Sequence, residues 1–169
     1  MKKIMLIVVI IATSFVQNTF AQTNSQPISK VFATYLNLKN ALVSNDAKTA
    51  SASAKTMLDE IGKVPMDKMT TEQHTIWMKY MKKLSYDAKH ISEVAELEHD
   101  REHFTSLSKN MYAVVKAFPT TTAVYYQFCP MANENKGAYW LSEQEKIHNP
   151  YYGDKMNSCP STKETIQKK

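Results

Sequence analysis

The sequence predicts a mainly α fold: an up-down four-helix bundle with a short C-terminal β-hairpin and an irregular, cysteine-containing tail. Four consecutive segments repeat apolar residues at three- and four-residue spacing. After Thr120 that period stops and β-branched and aromatic residues take over. Only 3 glycines occur in 169 residues, too few for the tight turns of an all-β fold or for glycine-rich phosphate loops.

The first helix is expected from Ile28 to Val43, where Val31, Tyr35, Leu38 and Leu42 form one apolar stripe; Pro27 suits its start. Asn45 and Asp46 stop it and cap the next. The second, residues 47–62, is alanine-rich, carries Met57, Leu58 and Ile61 toward its end, and finishes at Gly62 and Pro65. Thr70-Thr71-Glu72-Gln73 has the pattern of a capping box and opens a third helix to about Glu93, with Trp77, Tyr80, Leu84, Ala88 and Ile91 on one face. A fourth, residues 97–118, places Leu97, Phe104, Leu107, Met111, Val115 and Phe118 along one stripe and stops before Pro119. Short links between amphipathic helices give the up-down bundle. Thr121 to Phe128 then reads as a strand, Asn133 to Gly137 as a turn, and Ala138 to Leu141 as the partner strand.

Lys2 and Lys3, the apolar run Ile4 to Ala12, and the small residue ending Thr19-Phe20-Ala21 spell a secretory signal peptide cleaved after Ala21. The apolar run is shorter than the roughly 20 residues a membrane-spanning helix needs. The expected organisation is therefore a signal peptide at 1–21, a disordered lead-in at 22–27, one domain at 28–160 and a flexible C-terminus at 161–169. The expected location is the periplasm or the exterior, with no membrane span after signal cleavage. The net charge of +5 includes the two leader lysines, and Arg101 is the single arginine, so no nucleic-acid footprint is present.

Both cysteines fall in the tail, in Cys129-Pro130-Met131 and Met156-Asn157-Ser158-Cys159. Residues two apart in an extended segment, or three apart in a helical turn, point the same way. Two thiolates and two thioethers so arranged would suit Cu(I), with His148 a further ligand nearby. The competing reading is a structural disulfide between Cys129 and Cys159, usual for paired cysteines in an oxidising compartment and worth roughly 3–4 kcal/mol on the chain-entropy estimate. Free or redox-switching thiols are the third option.

The stretch Val124-Tyr125-Tyr126-Gln127-Phe128-Cys129-Pro130-Met131-Ala132, with Gly137-Ala138-Tyr139-Trp140-Leu141-Ser142, Ile147-His148-Asn149-Pro150-Tyr151-Tyr152-Gly153 and Met156 to Cys159, resembles the C-terminal signature of domain-of-unknown-function family 3347. Arg101, Phe104, Leu107 and Ser108 fit the same pattern. The resemblance implies a secreted helical domain, found alone or fused to periplasmic adaptor subunits of heavy-metal efflux pumps, and an association with copper or other heavy metals. It implies no particular activity. Ala132 and Pro160 stand where similar sequences carry His and Gly.

His99-Asp100-Arg101-Glu102-His103 spells the inverted zinc-peptidase motif, with its histidines on one helix face. Such peptidases are large and only 66 residues follow His103 (169 minus 103), so a partly exposed surface pair is the ordinary expectation, with a catalytic zinc and an adventitious or regulatory metal site as the alternatives. His74 and His90 read as plain surface residues, and the aromatic clusters, including Trp77 and Trp140, read as packing. No Gly-x-Ser-x-Gly, phosphate loop or dinucleotide fingerprint is present, so no enzyme is expected. The expected function is soft-metal, Cu(I)-like binding through Cys129, Met131, Met156, Cys159 and His148, or a metal-efflux accessory role with an efflux adaptor as partner. The alternative is a non-catalytic envelope interaction module stapled by a disulfide.

Overall fold

The capping and periodicity of the sequence are realised in a computed structural model that describes residues 26–153 and 155–167. The signal peptide expected at 1–21 and the greater part of the lead-in lie outside these residues. Helices α1 (Ser29–Val43), α2 (Ala47–Gly62), α3 (Thr71–Val94) and α4 (Leu97–Ala117) precede strands β1 (Val124–Cys129), β2 (Ala138–Ser142) and β3 (Ser161–Ile166). Each helix packs on the next in sequence, and α4 also packs against β2. No helix of the described residues is long and apolar enough to cross a membrane.

Local chemistry accounts for the helix ends. Asp46 accepts from the Thr49 backbone N–H at 2.9 Å and from its hydroxyl at 2.6 Å, starting α2. Thr70 and Gln73 complete the capping box of α3. Between α3 and α4 the chain turns over Ala95, in the left-handed region at φ 52, and Glu96, whose carboxylate accepts from the Glu98 and His99 backbone N–H groups.

The apolar stripes meet in one core. Tyr35, Leu38 and Leu42 of α1, Met57 of α2, Leu84 and Ile91 of α3, and Phe104, Leu107 and Met111 of α4 are fully buried. Each such side chain contributes on the order of 1.5–3 kcal/mol relative to exposure. Trp77 and Trp140 are also buried, as expected of packing aromatics, while Tyr80 is half-buried. The core is tied to the sheet by Tyr35, whose hydroxyl shares a 2.8 Å hydrogen bond with Ser108 Oγ and accepts from the Leu141 N–H at 3.0 Å.

The hairpin forms: β1 pairs antiparallel with β2, with Gln127 opposite Trp140 and Cys129 opposite Ala138. Its loop carries Asn133, Glu134 and Asn135 in succession at positive φ, followed by Gly137 at φ 81. A Cβ on Gly137 would come within 2.5 Å of the Phe128 ring, so this turn needs its glycine.

The sheet has three strands, not two, in the order β2-β1-β3. Residues 161–169 were expected to be flexible, yet Ser161–Ile166 pairs antiparallel with β1 across a register shift at Tyr126/Gln127. Ser161-Thr162-Lys163-Glu164-Thr165-Ile166 shows little apolar patterning because its docking rests on ladder hydrogen bonds and on Glu164. That carboxylate accepts from the Tyr112 hydroxyl at 2.6 Å and pairs with Lys116, both on α4.

Candidate metal centre

Helical spacing places His99 and His103 on one face of α4, and the two-residue link at Ala95 and Glu96 folds α3 back beside them. His90, about one turn before that link, thereby joins the pair. The His90 and His103 rings stack with centroids 4.6 Å apart, His99 and His103 lie 4.7 Å apart, and His90 and His99 6.2 Å. One ligand nitrogen from each falls within 4.8 Å of the others, and all three side chains are half-buried. Nitrogens around one ion at ~2.1 Å stand ~3.4 Å apart, a distance small side-chain rotations can reach.

Two carboxylates surround the imidazoles. Asp87, 3% exposed on α3, lies with Oδ1 3.3 Å from His103 Nδ1, and its Oδ2 accepts from the Ser106 hydroxyl at 2.6 Å. Asp100 is fully buried, and neither of its oxygens makes a hydrogen bond of good geometry. His99 Nδ1, 4.0 Å from Asp100 Oδ1, is likewise buried without a hydrogen-bond partner. Desolvation pushes the Asp100 carboxyl up to about 6, against the opposing pull of His99 and of the Glu96 backbone. Tyr86 packs its exposed ring on His90 at 4.4 Å and His103 at 5.9 Å.

In the sequence His90 reads as a plain surface residue and His99 with His103 as a partly exposed surface pair. The structure leaves all three half-buried and brings them together. Periodicity within one helix cannot show a cross-helix contact. The legible signal was that His90 and His99 both lie within five residues of the break at Ala95 and Glu96. Asp87, inside the apolar stripe of α3, was a second unused signal.

The tail residues are arranged differently from the expected soft-metal site. Cys129 ends β1 wholly buried, while Met131 is 42% exposed. The two-residue alternation holds only within a strand, and Met131 lies beyond it, in the turn. Met156 is half-buried and Cys159 exposed in a segment without helix, so the three-residue spacing has no helical turn to act through. His148 is half-buried. Both cysteines are free thiols, and the expected staple between Cys129 and Cys159 is not formed. Among the described residues, the group of three or more His, Cys, Asp or Glu ligands that meets within 4.8 Å is the histidine triad.

Arg101 is a structural tie. Its Nε donates to the Pro150 carbonyl at 2.8 Å and one Nη to Asn45 Oδ1 at 2.6 Å and the Leu42 carbonyl at 3.2 Å. Asn45 also sits where a Cβ on Gly153 would fall, at 2.5 Å, so α4, the α1–α2 turn and the Asn149–Gly153 segment lock together. The buried Asn149 continues the tie by donating to the Met156 carbonyl and accepting from the Tyr151 N–H.

The family described as "Protein of unknown function (DUF3347)" matches residues 31–123. The chain belongs to this family. No curated protein and no solved structure matches it. The stretch matched to the DUF3347 family includes nearly all of α1 and the whole of α2, α3 and α4, and so the histidine triad with Asp87 and Asp100. It stops before β1, whereas the resemblance seen in the sequence was carried mainly by the tail from Val124 onward. The family description names no activity, so it leaves the chemistry to the site.

Proposed function

We propose that this protein is an exported metal-handling domain that binds a divalent transition-metal ion through His90, His99 and His103. The observation that carries this reading is the convergence of three imidazoles from two helices within 4.8 Å. Imidazole nitrogens suit zinc, copper(II) and nickel, and no sulfur belongs to the group, so the ion class differs from the cuprous one that the tail sulfurs suggested. Asp100 supports the same reading, because a fully buried carboxylate without good hydrogen bonds is costly unless a cation lies close.

Three protein ligands leave at least one coordination position open, which suits an ion held for transfer to another envelope component rather than one sealed into the fold. A heavy-metal efflux adaptor is the partner class that the sequence resemblance suggests. Export rests on the leader-like residues 1–21. We read the four consecutive helices as an up-and-down bundle in which the α3–α4 hairpin presents the site at one end.

The test is titration of the mature protein with Zn(II) and Cu(II) against a competing chelator. One ion per chain is expected, lost in His90→Ala and in His99→Ala. Unchanged binding in both variants would sink the histidine site. A parallel Cu(I) titration of reduced Cys129→Ser and Met156→Leu examines the sulfur residues separately.

A further inference from the structure

Which nitrogen of each imidazole faces the ion is set by what the other nitrogen does. For His103 the structure gives that second partner. Nδ1 lies 3.3 Å from Asp87 Oδ1, and Asp87 is held in turn through Oδ2 by the Ser106 hydroxyl at 2.6 Å. Asp87 is 3% exposed and Ser106 stands on α4 three residues after His103, so the relay crosses from α4 to α3 and back. The rings against His103 are those of His90, stacked at 4.6 Å, His99 at 4.7 Å and Tyr86 at 5.9 Å.

We infer that Asp87, held by Ser106, is a positioning residue of the metal site: it fixes His103 with Nδ1 protonated and turns Nε2 toward the ion. This rests on the histidine site proposed above and adds which His103 atom is the ligand and which residues orient it. A carboxylate accepting from the remote N–H of a ligating imidazole also raises the ring's basicity, and loss of such a partner weakens metal affinity by about 10–100-fold. Asp87 touches no ion itself. Its own burial is made tolerable by the two donors, His103 and Ser106, which come from the helix opposite.

The experiment has two readouts. Nitrogen-15 NMR of the ion-free protein at a pH where His103 is neutral reports its tautomer directly. Zn(II) affinity is then measured for wild type, Asp87→Asn and the milder Ser106→Ala, with circular dichroism confirming that each variant is folded. Expected are a His103 protonated on Nδ1 in wild type, a mixed or reversed tautomer in Asp87→Asn, and about 10–100-fold weaker Zn(II) binding in Asp87→Asn with a smaller loss in Ser106→Ala. A wild-type His103 protonated on Nε2 would overturn the inference, as would Asp87→Asn binding Zn(II) like wild type. Failure of wild type to bind Zn(II) would remove the metal site itself, and the tautomer would still decide whether Asp87 orients His103.

Discussion

The His90 and His103 rings stack 16° from parallel, with centroids 4.6 Å apart, across the contact between α3 and α4. Two imidazoles in this arrangement repel if both are charged and gain if a cation binds between their nitrogens. The stack therefore links the state of the site to the packing of the two helices. An ion bound there would hold α3 to α4 directly, in addition to the apolar contacts of Leu84, Ile91 and Leu107.

Ion binding should therefore raise folding stability. At a free Zn(II) concentration 100 times Kd, a ligand that binds only the folded state adds about 2.7 kcal/mol. Urea denaturation with and without Zn(II) should show this gain in wild type and little or none in His90→Ala, which removes the α3 ligand. Acid should abolish the gain, because the ligating nitrogens must be deprotonated. An equal gain in His90→Ala would place the ion elsewhere.

Asp100 gives a pH signature without metal. Its carboxyl is pushed up to about 6 in the folded protein by desolvation, from an ordinary value near 3.8. Between those values the folded state binds the proton more tightly than the unfolded state, so this group makes stability fall as pH rises from about 4 to about 6. The deficit is complete above pH 6 and absent below 4. Asp100→Asn, measured in chelator, should flatten that slope and be more stable than wild type at pH 7.5, by about 1–2 kcal/mol after discounting for solvent screening. A variant less stable than wild type at pH 7.5, with the slope retained, would show that the carboxylate is compensated.

The two thiols should differ sharply in reactivity. Cys159 is exposed and Cys129 is 0% exposed. A thiol-specific chromogenic reagent should titrate one cysteine rapidly in the native reduced protein and the second only on unfolding. Two fast thiols would mean that Cys129 is more accessible than its place at the end of β1 allows. No reactive thiol in freshly purified, unreduced protein would mean that the tail rearranges to join the pair.

The helices were legible in the sequence because each carries both its stripe and its punctuation: Asp46, the Thr70 and Gln73 capping box, and the break before Pro119 all recur in the structure. The hairpin was legible for the same reason, with turn chemistry at Asn133–Gly137 between two aromatic runs. What escaped was every feature that depends on two distant segments meeting. Strand β3 owes its place to β1 and to Tyr112 and Lys116, none of which its own polar sequence reveals. His90 and Asp87 become site residues only once α3 lies beside α4. For the sulfur residues the limit is the converse one: the two-residue spacing rule holds inside regular structure, and Met131 lies beyond the end of β1 at Cys129.

The β3 contact can be tested by truncation. Ending the chain after Pro160 removes β3, bares one edge of β1 and leaves Tyr112 and Lys116 without Glu164. The truncated protein should be destabilised and prone to associate through that edge, visible as higher-mass species in light scattering. Glu164→Gln should keep the strand and lose only the ionic part of the contact, on the order of 1 kcal/mol or less for groups this exposed. A truncated chain with the stability and association state of wild type would make residues 161–169 dispensable.

Tyr35→Phe isolates the joint between α1 and the sheet. The Tyr35 hydroxyl is fully buried, accepts from the Leu141 N–H at 3.0 Å and shares a 2.8 Å hydrogen bond with Ser108 Oγ. The Phe ring preserves the stack on Phe104, whose centroid is 5.4 Å away, so the substitution removes the oxygen and little else. Ser108 retains Tyr151 as a neighbour, whereas the buried Leu141 N–H loses its acceptor. An orphaned buried donor costs about 1–3 kcal/mol, and that is the expected loss in chemical denaturation, with hydrogen exchange at Leu141 accelerated. Ser108→Ala should cost less, and the double variant should lose less than the two single losses together, because the Tyr35–Ser108 bond is counted in each. Strict additivity would separate the two groups energetically and leave the Leu141 N–H as the whole of the joint.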